Sequence, residues 1–170
     1  GVAFKFCQAL ASKTKDFDVQ QLKWYLDLVA IGTVADCVPM ENENRTLVKF
    51  GLIVLSKTKR AGLKQLFHVG NISIGPNEIP STKQIGFQIA PRINAAGRMD
   101  HANVAFNLLM CTENEQSKAR LLALELEDSN KRRQKVTKVI VDEVQQRIEQ
   151  KPSAPTMIIE SSPHWELGLV

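Results

Sequence analysis

Apolar residues along most of this chain recur at the spacing of helices. Val2, Phe4, Phe6, Leu10 and Ala11 approximate one helical face. A polar break over 12–18 follows, and residues 20–36 start wet and turn almost wholly apolar from Leu26 to Ala35. Periodicity alone does not separate helix from strand in such a run, but its length and polar lead-in predict a buried helix. A loop is expected over 39–45. Leu47, Val48, Phe50, Gly51, Leu52, Val54 and Leu55 then predict a helix, and a short one follows over 63–67. Residues 71–80, with Pro76 and Pro80, read as loop. Ser81 stands in N-cap position for a helix over about 82–90, and 101–111 predicts another short helix.

From Glu113 to Lys151 the sequence has no proline or glycine. Leu122, Leu126, Ser129, Val136, Ile140 and Ile148 lie near one face, so one helix of roughly 50 Å is expected, ending before Pro152. At 154–160, "APTMIIE", the period changes, and the apolar, β-favouring residues after a proline predict a buried strand. A long charged helix between a helical region and a new strand is the pattern of an inter-domain connector. The division expected is therefore 1–112, 113–151 and 152–170. No internal repeat or low-complexity tract is evident.

With 170 residues, the chain is one domain or parts of two. Hydrophobic residues at 44% and charged residues at 24% give the balance of a water-soluble globular protein. A net charge of +4 permits an anionic partner without demanding one, and 6% aromatic residues limit base-stacking platforms. Cys7, Cys37 and Cys111 are far apart with no CxxC pair, which argues against a zinc site or disulfide framework and for free thiols in a reducing cytoplasm. No apolar run is long enough for a membrane span, so no membrane partner is expected. The chain starts at "GVAFKF" without a methionine and stops at "ELGLV" inside an apolar run. Both ends read as cuts in a longer protein, and the apolar surface bared by truncation would favour a dimer of this piece.

Two stretches carry candidate chemistry. "PRINAAGRM", residues 91–99, sets Arg92 and Arg98 around a compact Asn94-Ala95-Ala96-Gly97 turn. Guanidiniums bind phosphate bidentately, Asn94 donates and accepts, and Gly97 lets a backbone approach. The alternative is a helix end capped by glycine, with both arginines in salt bridges, and Arg92 after Pro91 could brace the incoming helix. Asp36 in "GTVAD" ends the apolar run. It is either a helix terminus surfacing to solvent or a metal ligand, and one carboxylate alone cannot hold a divalent ion. His68, His101 and His164 are scattered and read as surface residues, with His101 the one nearest Arg98 in sequence. Lys57, Lys59, Arg60 and Lys64 read as a solvated loop, and "NKRRQK" over 130–135 as a solvated helix face.

Together, "YLDLVAIGTVADCVPMENENRTLVKFGL" and "IGFQIAPRINAAGRMDHANVAFNLL" resemble the RecJ family of bacterial single-stranded-DNA exonucleases, members of the DHH phosphoesterase superfamily. The resemblance reaches nearly the whole chain. It implies an α/β superfamily fold, here a predominantly α-helical stretch. Residues 1–112 would be the C-terminal part of the DHH domain, 113–151 the connector helix, and 152–170 the start of the DHHA1 domain with its strand. It further implies Mn²⁺ or Mg²⁺ as cofactor and 5′-mononucleotides released from the 5′ end of single-stranded DNA, in repair or recombination. Asp36 matches a metal-binding, catalytic aspartate, and Arg92, Asn94 and Arg98, with His101 beside them, match the segment near the DNA backbone. The family's Asp-x-Asp, Asp-His-His and Gly-rich His motifs are absent from these residues, so this stretch alone is expected to be inactive. Alternative readings are a DHH phosphoesterase of short oligonucleotides or cyclic dinucleotides, and a catalytically dead RecJ-like replication scaffold.

Overall fold

Ala119, Ala123, Leu126 and Asn130 step along the sequence by four, three and four, the repeat that brings side chains onto one helical stripe. All four are buried. They belong to helix α9, Gln116–Glu149, which passes through Asp128-Ser129-Asn130-Lys131 without a break. The structure is a computed structural model that describes residues 1–14, 18–75, 78–99, 101–150, 156–166 and 168–169, with the backbone alone at Val19. The expected division near 151 lies outside the described residues.

The elements before α9 are α1 (Val2–Ala11), a short α2 (Val19–Leu22) with a 3₁₀ turn (Lys23–Tyr25), α3 (Leu26–Ala35), α4 (Asn42–Ser56), α5 (Ala61–Val69), α6 (Thr82–Gln84), a π turn (Ile85–Ile89), α7 (Ala90–Met99) and α8 (Asn103–Met110). Helix α9 packs on α5, α7 and α8, and α3 packs on α4. The main core gathers Ile31, Leu55, Leu63, Leu66, Ile85, Ile89, Leu108 and Leu126, and a smaller one holds Phe4, Leu22 and Val29. Two glycines make the closest crossings. A Cβ on Gly62 would lie 1.9 Å from the Leu108 carbonyl oxygen, and one on Gly51 2.4 Å from that of Leu26.

Three expectations need correction. The loop over 39–45 is shorter, because α4 begins at Asn42, with Asn44 Nδ2 donating to the Pro39 carbonyl at 3.2 Å. The helix opened by Ser81 does not stop near 90. Ser81 and Gln84 form a reciprocal capping box, and the helical path then runs through Pro91 to Met99. Proline lacks an N–H and clashes with the carbonyl four residues back, which ordinarily breaks a helix. Here the preceding turn is wound wider, with Ala90 N–H reaching back to the Ile85 carbonyl. The compact turn and glycine cap read at Asn94–Gly97 are therefore a turn of α7. Finally, the strand expected at the C-terminus is not formed: among the described residues there is no strand anywhere in the chain. Met157, Ile158 and Ile159 are 74%, 51% and 82% exposed. β-favouring residues make a strand only beside a pairing partner, and none is present among the described residues. Instead this segment docks on the far half of α9. Trp165 Nε1 donates to Glu143 at 3.0 Å, and Arg147 spans Glu143, Glu160 and the Ser161 carbonyl.

A buried ion pair ties α7 to α9. Arg92 Nε donates to Glu127 Oε2 at 2.6 Å, its NH1 to the Gln88 carbonyl at 2.7 Å and its NH2 to the Gly70 carbonyl at 3.4 Å. The two side chains are 14% and 12% exposed. A Cβ at Gly70 would lie 2.7 Å from Arg92 Nε, so glycine there clears the guanidinium's seat. Removing one partner strands a charge away from water. Arg92→Ala is expected to lower stability by about 3–5 kcal/mol, read by urea denaturation, and Arg92→Met combined with Glu127→Leu should restore most of the loss.

Ahead of α9, the Glu115 carboxylate accepts from Thr112 N–H and Oγ1, both at 2.9 Å, and pairs with Lys118 at 2.9 Å. The Thr112 backbone N–H, then Lys118 and the Thr112 hydroxyl, hold its pKa down at about 2 against an ordinary 4.5. A depressed folded-state pKa contributes stability that is present above the ordinary value and is lost as pH falls through the folded one. Thermal melts taken as pH falls from 4.5 toward 2 should show a smaller loss of stability for Glu115→Gln than for the parent.

Candidate nucleic-acid interface

Helix α7 carries the segment singled out in the sequence, and its pitch turns the two arginines in different directions. Arg92 turns inward, and its Nε, NH1 and NH2 each donate within the chain, to Glu127, Gln88 and Gly70. Six residues on, Arg98 is exposed. Its NH1 donates to the Gly168 carbonyl in a very short hydrogen bond. Asn94, one turn before Arg98, is exposed as well.

Asn94 and Arg98 line a cleft of about 370 Å³, whose other walls include Ala35, Gly86, Arg133 and Thr137. The cleft thus meets the end of α3, the π turn, α7 and α9. Among its described lining residues there are two guanidiniums, an amide and a hydroxyl, and no carboxylate. Such a lining favours an anion with several oxygen acceptors. Asp36 directly follows Ala35. It is the C-cap of α3, its N–H bonded to the Gly32 carbonyl at 3.1 Å, and its side chain is exposed. His101 is exposed just before α8, where its carbonyl accepts from Val104 N–H. It is not among the residues lining the cleft, and neither is Arg92.

Helical glycines usually cost about 1 kcal/mol against alanine. Packing explains Gly51, Gly62 and Gly70, but not three others. A Cβ on Gly32 or Gly86 would meet nothing within 4 Å, and one on Gly97 only Ala102 Cβ at an ordinary 3.8 Å. Gly32 lies one turn before Asp36, Gly86 in the cleft wall, and Gly97 beside Arg98. Packing within the chain therefore gives no reason for glycine at these three positions.

A metal does not fit these residues alone. Among the described residues no three His, Cys, Asp or Glu side chains converge on a common point. Asp36 offers one oxygen-bearing group where a divalent ion takes six or more ligands. No helix among the described residues is long and apolar enough to cross a membrane.

Two placements of charged residues are not evident from the sequence. Asp27 lies in the apolar run yet is 1% exposed, accepting from Thr58 Oγ1 at 3.0 Å and Arg60 Nε at 3.1 Å. Arg60 also lies over the Tyr25 ring and Lys59 over Trp24, so this basic cluster is only partly a solvated loop. The signal available was an aspartate one residue into a hydrophobic helix. The second is Arg133, read as part of a solvated face and found in the cleft. Its signal was phase: Leu126, Ser129, Arg133 and Ile140 fall near one stripe.

No family model matches the chain. Curated relatives do. The single-stranded-DNA-specific exonuclease RecJ of Bacillus subtilis is 39% identical over 170 residues, all of this chain and 20% of that protein. The RecJ of Escherichia coli is 34% identical over 183 residues, again all of this chain and 31% of that protein. The chain therefore spans between a fifth and a third of these relatives' length. Among solved structures, Thermus thermophilus RecJ in complex with Mg²⁺ matches with a TM-score of 0.63 at 34% identity, covering 72% of this chain and 18% of that one. A manganese-bound exonuclease RecJ matches with a TM-score of 0.64 at 33% identity, covering 74% and 30%. Sequence agreement along the whole chain and fold agreement over most of it place this protein in the RecJ family.

Proposed function

We propose that the protein containing this chain is a metal-dependent exonuclease that hydrolyses single-stranded DNA from the 5′ end, and that the cleft of Asn94 and Arg98 holds a phosphate of that DNA. The observation that carries the reading is the cleft's composition: guanidinium, amide and hydroxyl groups without a carboxylate among the described lining, with Ala35, the residue before Asp36, in its wall. Relatives named as single-stranded-DNA-specific exonucleases, and RecJ structures holding Mg²⁺ or Mn²⁺, support it. They lend nothing to a cyclic-dinucleotide phosphoesterase or an inactive scaffold.

In this reading residues 1–112 belong to the DHH domain, 113–151 connect, and 152–170 begin DHHA1. Asp36 contributes one carboxylate to Mn²⁺ or Mg²⁺, and the other ligands come from outside this chain. A divalent ion held there would supply charge neutralisation and an activated water. Arg98 and Asn94 grip phosphate oxygens, His101 approaches the strand from the start of α8, and Arg92 braces α7 so that Arg98 faces the cleft.

In the intact protein, Asp36→Ala should abolish hydrolysis while leaving the melting temperature near the parent's; near-normal turnover would make Asp36 a helix cap only. Arg98→Ala should weaken DNA binding equally for all base sequences, since phosphate contacts carry no sequence information. It should also make the salt dependence shallower by roughly 0.7 per lost phosphate contact. Lower stability with unchanged binding would return Arg98 to a structural role.

Gly86→Ala separates two readings of the glycine in the cleft wall. Helix propensity alone predicts a gain of up to about 1 kcal/mol. A cleft occupied by DNA predicts weaker oligonucleotide binding in a protein no less stable than the parent. Urea denaturation and fluorescence anisotropy read the two arms.

A further inference from the structure

Arg133 has an environment that the fold alone does not account for. It sits on α9 and lines the same cleft as Arg98 of α7, with Thr137 one turn further along. Its NH2 donates to Asn130 Oδ1 at 3.2 Å, and Asn130 is 1% exposed and itself fixed in the core. Its Nε is shut off from water with no acceptor. Among the described residues no carboxylate pairs with it, although α9 carries Glu125, Glu127 and Asp128 within two turns. Glu127 is engaged by Arg92 and Lys131.

Arg133 therefore carries a charge that no carboxylate among the described residues neutralises. A second guanidinium lining the same cleft adds like-charge repulsion. An anion between the two neutralises the pair and accepts from the guanidinium N–H groups that line the cleft.

We propose that Arg133 is a DNA-binding residue of this protein, gripping from α9 the same backbone phosphate that Arg98 grips from α7, with Asn130 as the positioning residue that aims its guanidinium. The proposal rests on the reading of the cleft as a phosphate site. It makes the long helix part of the binding surface as well as a connector. Its neighbours in "NKRRQK" differ in kind: Lys131 pairs with Glu127 on its own helix, and Lys135 is exposed.

The test uses the intact protein, a fluorescent single-stranded oligonucleotide and chelator in place of metal, so that binding is read without hydrolysis. Parent, Arg133→Gln, Arg98→Gln, the double variant and Lys135→Gln are compared across a salt series. Arg133→Gln is expected to bind roughly tenfold more weakly, the size of a lost hydrogen bond to a charged group. Its salt slope should fall by roughly 0.7. Because both arginines share one phosphate, the double variant should lose less than the product of the single losses. Lys135→Gln should stay within twofold of the parent.

If Arg98→Gln weakens binding and Arg133→Gln does not, the Arg133 proposal falls and the cleft reading stands. If neither weakens it, both fall. Equal losses from Arg133 and Lys135 would mean diffuse attraction by a charged helix and would overturn the proposal, as would fully multiplicative losses in the double variant. Should Arg133→Gln fail to fold, Arg133→Lys carries the test. It keeps the charge and loses the planar fork, so a severalfold weaker affinity with an unchanged salt slope is expected, and parent-like affinity would overturn the proposal.

Discussion

Everything on the cleft side of the molecule is hung from the bridge between Arg92 and Glu127. It is a charge-assisted contact at 2.6 Å between α7 and α9, and the same guanidinium holds the carbonyls of Gln88 and Gly70. Apolar packing alone lets helices slide by small amounts at little cost, because many side-chain arrangements fill the same volume. A buried ion pair with further hydrogen bonds does not, since any slip leaves a charge unmatched. The pair therefore fixes the distance and rotation of α7 against α9. Those two helices carry Asn94, Arg98, Arg133 and Thr137.

How much of this was legible in the sequence depended on the range of the interaction. Local rules succeeded. The Ser81 cap, the helical spacing in 47–55 and the unbroken run after 113 all rest on contacts within a turn or two, and all appear as helices, the last starting at Gln116 rather than Glu113 because 113–115 form the turn that leads into it. The capping box even shows its partner, Gln84, three residues away. Failures came where a distant partner decides the outcome. The C-terminal apolar residues carry β propensity, but a strand is a property of a pair, and among the described residues no second strand meets them. Proline at position 91 punctuates a chain by local rules, yet here a widened turn, itself held by Ile85 and Ile89 in the core, carries the helix through.

The candidate site divides in the same way. Arg98 and Asn94 stood out in the sequence because polar and small residues are dense in those nine positions, and both line the cleft. Arg92 was grouped with them because sequence distance says nothing about which way a helical side chain turns, and its partner lies 35 residues away. Arg133 was missed for the mirror-image reason. It sits inside a run of charges, where the ordinary outcome is a solvated face, and only its phase against Leu126 and Ile140 separates it from Lys131 and Lys135. Asp27, hidden in an apolar run, found its partners at Thr58 and Arg60 on a loop that the sequence shows only as basic.

The π turn at Ile85–Ile89 has a bearing on how this segment can vary. Such a turn holds one residue more than an α-helical turn, and each residue in a helix advances the direction of a side chain by about 100°. The extra residue therefore acts as a phase shifter between the capped start of the helix, which is pinned to the Ser73 carbonyl through Gln84, and the arginine-bearing half. Deleting any one residue of 85–89 would leave composition, charge and hydrophobicity nearly unchanged. It would also rotate Arg92 away from Glu127 and Arg98 away from the cleft together. What is held constant in this stretch is thus an angle, and substitutions that keep the count are tolerable where a single-residue gap is not.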